Sequence, residues 1–393
     1  MNQRTGTKHK TVRSRLAELG PQLSAQLGVQ PSTSAPIASP ERIAIVLDAM
    51  GSDKSPAPEI AGAILACKLL SVRVLLTGPE DVLRPALDTA LNGEEAPIEI
   101  VHASEWISMD DKAAASVRTK RDSSMRVGLK LVREKKAAGF FSAGNTGAAM
   151  ATAKMVLGAL SGVDRPALAA VLPTVTGTPC ILLDVGANVD CNAQNLQQFA
   201  VMGNMYASSV LRISKPRLGL LSIGEEETKG NALTHETFPL FKDIGVTFVG
   251  NVEGRDLFNG TTQVVVCDGF VGNVALKTSE GLAKLVRELL RESLTSTVTA
   301  KVGAMLSRQA FNDFKKRLDY SEYGGAPLLG VRGVCIVGHG SSNERAIMNG
   351  IRVAAEFAQA DINTQIEEQL ATIAAKRLRN EANLAADHNA PLN

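Results

Sequence analysis

Two stretches of this sequence combine glycine-rich backbone with a few small polar side chains, and both stand where an apolar run gives way to a helical one. The first is "GFFSAGNTGAAMAT" at 139–152, apolar through Phe140 and Phe141, then Ser142-Ala143-Gly144-Asn145-Thr146-Gly147, then a run of small residues. The second is "VGHGSSNERA" at 337–346. Gly144 and Gly147 permit close approach to the main chain, while Asn145 and Thr146 supply side-chain hydrogen bonds. N–H groups at a helix start suit an anion where space is left open. Neither stretch carries the Gly-Lys-Ser/Thr of a nucleoside-triphosphate loop, so a smaller phosphate or a carboxylate is the better fit. Two ordinary tight turns are the alternative.

His339 is the one histidine of five set between two glycines at the end of an apolar run. It is expected on the rim of the fold, where it either touches substrate or bridges loops. Ser341-x-x-Glu344 reads as a capping box that fixes a helix start, with the N–H groups of Gly340 to Ser342 as further donors. The Gly-x-Gly opening resembles a dinucleotide fingerprint, but Asn343 stands at the third glycine position and no ribose-binding acid follows at the required distance. No cofactor is expected. No Cys/His/Asp/Glu group has metal-ligand spacing, and Glu225, Glu226 and Glu227 read as an exposed acidic turn rather than a metal site. No nucleophile elbow is present. The five cysteines form no CxxC pair, and Cys180, Cys267 and Cys335 lie within apolar runs, which points to core thiols in a reducing, cytoplasmic compartment.

From Arg42 onward a short apolar run repeatedly ends in a Gly/Asp/Asn/Ser turn and a helical stretch follows. "RIAIVLD", "VRVLLTG", "IEIVHA", "AGFFSAGNTG", "ALAAVLPT", "CILLDVGANVD", "RLGLLSIG", "VTFVGNVEGRD", "VVVCDGFVGN" and "VCIVGHG" are the strands of this reading. Continuous apolar strands alternating with helices predict an α/β fold, a Rossmann-like, mostly parallel sheet covered by helices on both faces. The polar residues gather after the strands. Asp48, Asn145, Thr146, Asp184, Asn188, Asn273, His339 and Ser341 are therefore expected along one rim, the edge where open α/β sheets bind ligands.

Residues 280–318 break the alternation and read as a projecting helical hairpin with a Ser/Thr/Val-rich bend near 294–303. Leu282, Leu285, Val286, Leu289 and Leu290 make an apolar stripe suited to a dimer interface. The segment is net basic and suits an acidic partner; contact of the bend with a membrane surface is the weaker reading. The organisation expected is a basic, flexible extension over 1–40, one α/β domain over 41–378 including the hairpin, and a flexible tail over 379–393. A nucleic-acid or membrane-binding arm is the lesser alternative for the extension, since charge runs are commonly only solvated. Aromatic content of 4% does not suit a nucleic-acid stacking platform, and a net charge of +2 argues neither for nor against a polyanionic partner. No apolar run reaches the roughly 18 residues of a membrane span, and the N-terminus lacks the apolar core of a secretory signal.

The chain also resembles bacterial phosphate acyltransferase of the PlsX family over residues 42 to about 360. The segments that carry the resemblance are "VLDAMGSDKSP", "RTKRDSSM", "SAGNTGA", "GVDRPALA", "LLDVGANVDC", "QFAVMG", "IGEEETKGN", "NVEGRD", "VVVCDGFVGNVALKTSEG", "YGGAPLLGVRGV" and "GHGSSN", in that order. Ser52 stands where the family commonly has Gly, Ala113 where it has Pro, and Asn192-Ala193 where it has Lys-Pro. The extension lies outside the pattern. The resemblance implies a fold like that of phosphotransacetylases and isocitrate-dehydrogenase-type proteins, a homodimer, and no cofactor. It implies transfer of a fatty acyl group from acyl carrier protein to inorganic phosphate, giving acyl phosphate for a membrane glycerol-3-phosphate acyltransferase. Peripheral association with the inner face of the membrane fits that hand-over. On this reading Asn145, His339, Ser341 and Lys277 are the catalytic candidates. Gly144, Thr146, Gly147, Asp184, Asn188, Asn273, Gly340, Arg118 and Lys120 bind substrate, and Arg287, Arg291 and Arg308 meet the acidic carrier.

Overall fold

The computed structural model describes residues 42–317 and 324–388. Its elements in chain order are β1 (Ile43–Asp48), α1 (Ala57–Leu69), β2 (Val72–Gly78), α2 (Glu80–Leu91), β3 (Ile98–His102), α3 (Ala113–Thr119), α4 (Ser124–Arg133) and β4 (Gly139–Ser142). Then come α5 (Thr146–Leu157), β5 (Ala167–Leu172), β6 (Cys180–Leu183), α6 (Ala193–Met205), β7 (Arg217–Leu221), α7 (Ala232–Lys242), β8 (Thr247–Val252), α8 (Asp256–Asn259) and β9 (Val264–Val266). The last are α9 (Gly269–Thr295), α10 (Val298–Leu306), α11 (Arg308–Arg317), β10 (Ala326–Leu329), β11 (Val334–Val337), α12 (Glu344–Ala360) and α13 (Ile362–His388). The expected extension 1–40 lies outside the described residues, as do Leu318 of the hairpin segment and residues 389–393 of the tail.

The chain adopts the α/β architecture expected of it, and the ten apolar runs are strands β1 to β9 and β11. β10 escapes the sequence reading because "APLL" is four residues long and contains a proline. Two compact units emerge. One comprises the described residues of Met1–Thr152 and Val337–Ala355, the other those of Ala153–Ile336 and Glu356–Asn393.

In the first unit four parallel strands lie in the order β3-β2-β1-β4. Ala44 through Asp48 of β1 and all of β4 are buried at consecutive positions. Successive strand residues face opposite ways, so both faces are covered. Close packing of α4 shows how: a Cβ at Gly128 would lie 2.7 Å from the Phe140 ring and 2.8 Å from Val46. In the second unit the order is β10-β5-β6-β9-β7-β8. β6, β9, β7 and β8 are parallel, whereas β5 is antiparallel to both β10 and β6. The link from β5 to β6 holds no helix, so the chain turns back on itself instead of crossing over.

The 280–318 segment is longer and more broken than expected. α9 begins at Gly269, and the run is interrupted at Ser296-Thr297 and again at Ser307. The hydroxyls of Thr295 and Ser296 bond back to the carbonyls of Arg291 (2.9 Å) and Ser293 (2.8 Å), and Thr297 caps α10 by accepting the Ala300 N–H at 3.1 Å. Such local bonds compete with a continuous helix. Leu282, Leu285, Val286 and Leu289 are exposed on this single chain. The expected boundary at residue 378 is not a structural break, because α13 continues to His388 on strong helix formers such as Ala374, Ala375, Lys376, Arg377 and Leu378. Cys180, Cys267 and Cys335 are buried as expected, and so is Cys67; burial pushes the thiols of Cys67, Cys180 and Cys335 up to about 12, far from thiolate chemistry.

Candidate active site

The parallel register of β1 and β4 pairs Leu47 with Phe141, so Asp48 and Ser142 end adjacent strands at the same level. Ser142 Oγ donates to Asp48 Oδ2 at 2.7 Å and accepts the Gly144 N–H at 3.1 Å. Asp48 Oδ1 accepts the Met50 N–H at 3.3 Å. The loops after the two strands touch main chain to main chain, since a Cβ at Gly51 would lie 2.8 Å from Gly144 N. A third loop, after β11, joins them through Gly338 N–H donating to Ser142 O (2.7 Å) and Asp53 N–H donating to Gly340 O (2.9 Å).

Asp48 thus lies beneath the rim and not on it, because its hydrogen-bond donors draw the carboxylate inward. Burial raises it above the usual carboxylate range, opposed by Ser124, Ser142 and Met50. Glu59 of α1 is a second buried carboxylate under the same loop. Its Oε1 accepts the Ser52 N–H at 3.0 Å, and burial, with the Asp48 charge adding to it, raises it to about 7. The sequence reading missed Glu59, although a single acid inside the apolar run "APEIAGAILACKL" was a signal.

Asn145 is the residue before α5 and caps it, Oδ1 accepting the Ala148 N–H at 3.0 Å. Its Nδ2 donates to Met109 O (3.3 Å) and Asp111 O (3.1 Å). The side chain of Asn145 is therefore engaged in holding the turn and the 106–111 loop together. Thr146 and Gly147, the first helical residues, have no intrahelical acceptor for their N–H groups, and none is found among the described residues. Gly147 keeps this face of the turn low, where a Cβ would meet Ala113 at 3.2 Å.

At His339 the Ser341 N–H donates to Nδ1 at 3.2 Å, and Ser341 Oγ lies 2.8 Å from the same nitrogen. A main-chain N–H can only donate, so Nδ1 is an acceptor and the ring proton sits on Nε2. Ser341 is spent on orienting this ring, and the expected Ser341–Glu344 capping box does not form. Asn343 caps α12 instead, accepting the N–H groups of Arg345 (3.1 Å) and Ala346 (2.9 Å). Gly340 sits against Asp53 and Met109: a Cβ there would lie 2.8 Å from Asp53 Oδ1 and 3.0 Å from Met109 Cε. Met109 thus touches both glycine turns.

Of the two expected basic ligands, Lys120 is committed within the protein. Its Nζ donates to Trp106 O at 2.9 Å and pairs with Asp111 at 2.6 Å, which lowers the Asp111 carboxyl. Arg118 is exposed on α3.

The remaining candidates belong to the second unit. Asp184 is buried at the end of β6 and accepts four hydrogen bonds, from the main-chain N–H groups of Leu168, Ala187 and Asn188 and from Asn188 Nδ2, at 2.7 to 3.1 Å. Burial raises its carboxyl while these donors pull the other way. Asn188 also donates to Pro166 O at 2.8 Å and accepts the Gly269 N–H at 2.8 Å. Together they fix the loop after β6 against the start of α9. Asn273 flanks Gly186 of that loop. Lys277 lies a turn further along α9 and pairs with Glu280 at 2.9 Å. Arg287, Arg291 and Arg308 are exposed on α9 and α11. Glu225, Glu226 and Glu227 are exposed, and no cluster of metal-ligating side chains occurs among the described residues.

Comparison with known proteins decides the family. A family model described as "Fatty acid synthesis protein" matches residues 43–365. The phosphate acyltransferase of Acidobacterium capsulatum is 73% identical over 327 residues, 83% of this chain and 97% of that protein. The chain belongs to the phosphate acyltransferases. The enzyme of Koribacter versatilis is 64% identical over 339 residues, 85% of this chain and 94% of that protein. Two solved structures share the fold. The EutD phosphotransacetylase of Staphylococcus aureus has a TM-score of 0.53 at 16% identity, covering 88% of this chain and 99% of its own. A phosphotransacetylase of Streptococcus pyogenes has a TM-score of 0.51 at 17% identity, covering 89% and 99%.

Within this phosphate acyltransferase, the residues that replace the usual Lys-Pro have a structural use. Asn192 Oδ1 accepts the Asn195 N–H at 2.9 Å and Asn195 returns the bond to the Asn192 N–H at 3.1 Å, a reciprocal cap on α6. No helix among the described residues is long and apolar enough to cross a membrane.

Proposed function

We propose that this acyltransferase moves a fatty acyl group from the thioester of acyl carrier protein to inorganic phosphate, at the first unit's rim. The observation that supports this most is the start of α5, where the Thr146 and Gly147 N–H groups are unengaged and Gly144 and Gly147 keep side chains out of the way. A phosphate oxygen attacks the carbonyl carbon and the C–O bond forms, giving a tetrahedral oxyanion; its collapse breaks the C–S bond, and the proton of hydrogen phosphate passes to the departing sulfur. The products are acyl phosphate and the free thiol.

Little acid–base help is needed. Phosphate near neutral pH is already partly a dianion, and the thiol leaves with a pKa of about 8.5. Positioning and oxyanion stabilisation remain. The helix start binds the phosphate dianion, and the Nε2–H of His339 donates to phosphate or to the developing oxyanion. Ser341 holds the ring and Asn145 holds the turn, so both act as positioning residues. Asp184 and Asn188 shape the loop of the second unit beside α9, with Asn273 flanking it.

The surrounding assembly is part of the same reading. The apolar stripe of α9 joins two copies of the chain, Arg287, Arg291 and Arg308 meet the acidic carrier, and Arg118 draws in anions. The reaction needs no cofactor. It runs in the cytoplasm, with product passed to a membrane glycerol-3-phosphate acyltransferase and peripheral membrane contact at that step.

The test is an assay with palmitoyl-acyl carrier protein and phosphate, without metal or nucleotide, trapping product with hydroxylamine. Phosphate-dependent hydroxamate supports the reading. Product from acetyl-coenzyme A alone would move the enzyme to short-chain donors.

A further inference from the structure

The loop between β3 and α3 is unusually well fastened for a segment that exposes two large apolar side chains. Glu105 bridges to Ser123, and Ile107 is buried at 1% exposure. Lys120 Nζ holds Trp106 O and the Asp111 carboxylate, whose Oδ2 also accepts the Ser108 N–H at 2.8 Å. Asn145 Nδ2 holds Met109 O and Asp111 O. Between these fastenings Trp106 and Met109 are each 42% exposed. Apolar side chains exposed singly are ordinary, but two on one fastened loop, with Met109 beside a polar turn, ask for a reason.

The position of Met109 gives the reason. Its carbonyl is held by the residue that caps α5, and its Cε lies against Gly340 in the histidine turn. An acyl carbonyl held between those two turns would have its hydrocarbon chain leave past Met109. We propose that Met109 and Trp106 form the wall that receives the acyl chain, and that they set the enzyme's preference for long over short acyl groups. This rests on the proposed reaction for its occupant, but it concerns different atoms. Met109 is suited to the task because a flexible thioether follows an apolar chain of variable shape. The lysine and asparagine fastenings stop the loop from collapsing onto the polar turn when no chain is bound.

Trp106 is the only tryptophan of the chain, so the wall carries its own probe. Lauroyl-coenzyme A, kept below its micelle concentration, and acetyl-coenzyme A are titrated against the enzyme while tryptophan emission is followed, and hydroxamate formation is measured with both donors. The expected result is a saturable blue shift with the lauroyl thioester and none with the acetyl thioester. Met109→Ala should weaken the lauroyl titration and raise its KM by about tenfold, the scale of a lost contact in an apolar pocket. The same variant should leave the KM for phosphate and the melting temperature unchanged, and Met109→Leu should restore the lauroyl KM. A blue shift with no acyl phosphate from either thioester or from palmitoyl-acyl carrier protein would sink the proposed reaction and leave the wall standing. Acyl phosphate without a blue shift, or an equal effect of Met109→Ala on both donors, would overturn the wall and leave the reaction.

Discussion

Asp48 and Ser142, at the ends of neighbouring parallel strands, are joined by a 2.7 Å hydrogen bond in which the serine donates, and the same serine oxygen accepts the Gly144 N–H. One hydroxyl therefore ties a buried carboxylate to the backbone of the glycine turn before α5. Ser142→Ala leaves Asp48 short of a donor and Gly144 short of an acceptor, both buried. The expected cost is about 1–3 kcal/mol of stability, read from the midpoint of a denaturant titration. A raised KM for phosphate should accompany it, because Gly144 begins the turn.

Glu59 makes the fold sensitive to pH in a definite direction. Its carboxyl is raised from 4.5 to about 7 in the folded chain, so the fold holds a proton that the unfolded chain has already released. The neutral form's contribution is complete below about 4.5 and is lost as pH rises to about 7, beyond which the curve is flat. Stability should fall by up to about 3 kcal/mol across that window. Asp48, also raised, adds a slope of the same sign. Glu59→Gln should flatten the profile measured by urea unfolding at successive pH values; an unchanged slope in that variant would remove Glu59 as its source.

Asn145→Ala removes the cap of α5 and Asn145's two hydrogen bonds to the 106–111 loop at once. Loss of the cap alone costs about 1 kcal/mol. Misplacement of the turn should lower kcat on the order of a hundredfold. The proposed dimer should be unaffected, since α9 is remote in sequence and unchanged, and size-exclusion chromatography beside the rate assay checks both parts. Near-normal turnover would take the turn out of the mechanism.

The Asn192–Asn195 cap offers a control at a residue given no part in the reaction. Asn192→Ala should cost about 1 kcal/mol and lower the melting temperature by a few degrees, with kcat unchanged. A loss of activity larger than the loss of folded enzyme would show that Asn192 does more than cap a helix.

Much of this was legible in the sequence for a simple reason. Strands such as "RIAIVLD" and "CILLDVG" are buried on both faces, and continuous burial writes itself as continuous apolar character. The glycine turn before α5 was legible as a turn because glycine is costly to keep unless backbone must be approached. Side-chain partnerships were not legible. Nothing in the sequence around Lys120 says that Asp111 and Trp106 O will claim it, and nothing near Ser341 says that the serine will turn to His339 and leave capping to Asn343. Those choices depend on which loops the tertiary fold brings within 3 Å or so, a distance set by the strand register. Glu59 and Met109 stayed hidden for the same reason.

The start of α9 differs from that of α5 in a way that bears on ligand traffic. Asp268 Oδ1 accepts the N–H groups of Phe270 and Val271, Asp268 O accepts that of Gly272, and Asn188 O accepts that of Gly269. Asp268 is in effect a tethered inhibitor: a carboxylate held at a local concentration that dissolved phosphate cannot rival. Sulfate, chloride and phosphate, at whatever level the cell holds them, are denied that helix by the chain's own charge. Inhibition by simple anions should then show no contribution from the start of α9, and Asp268→Asn should be the change that lets one appear.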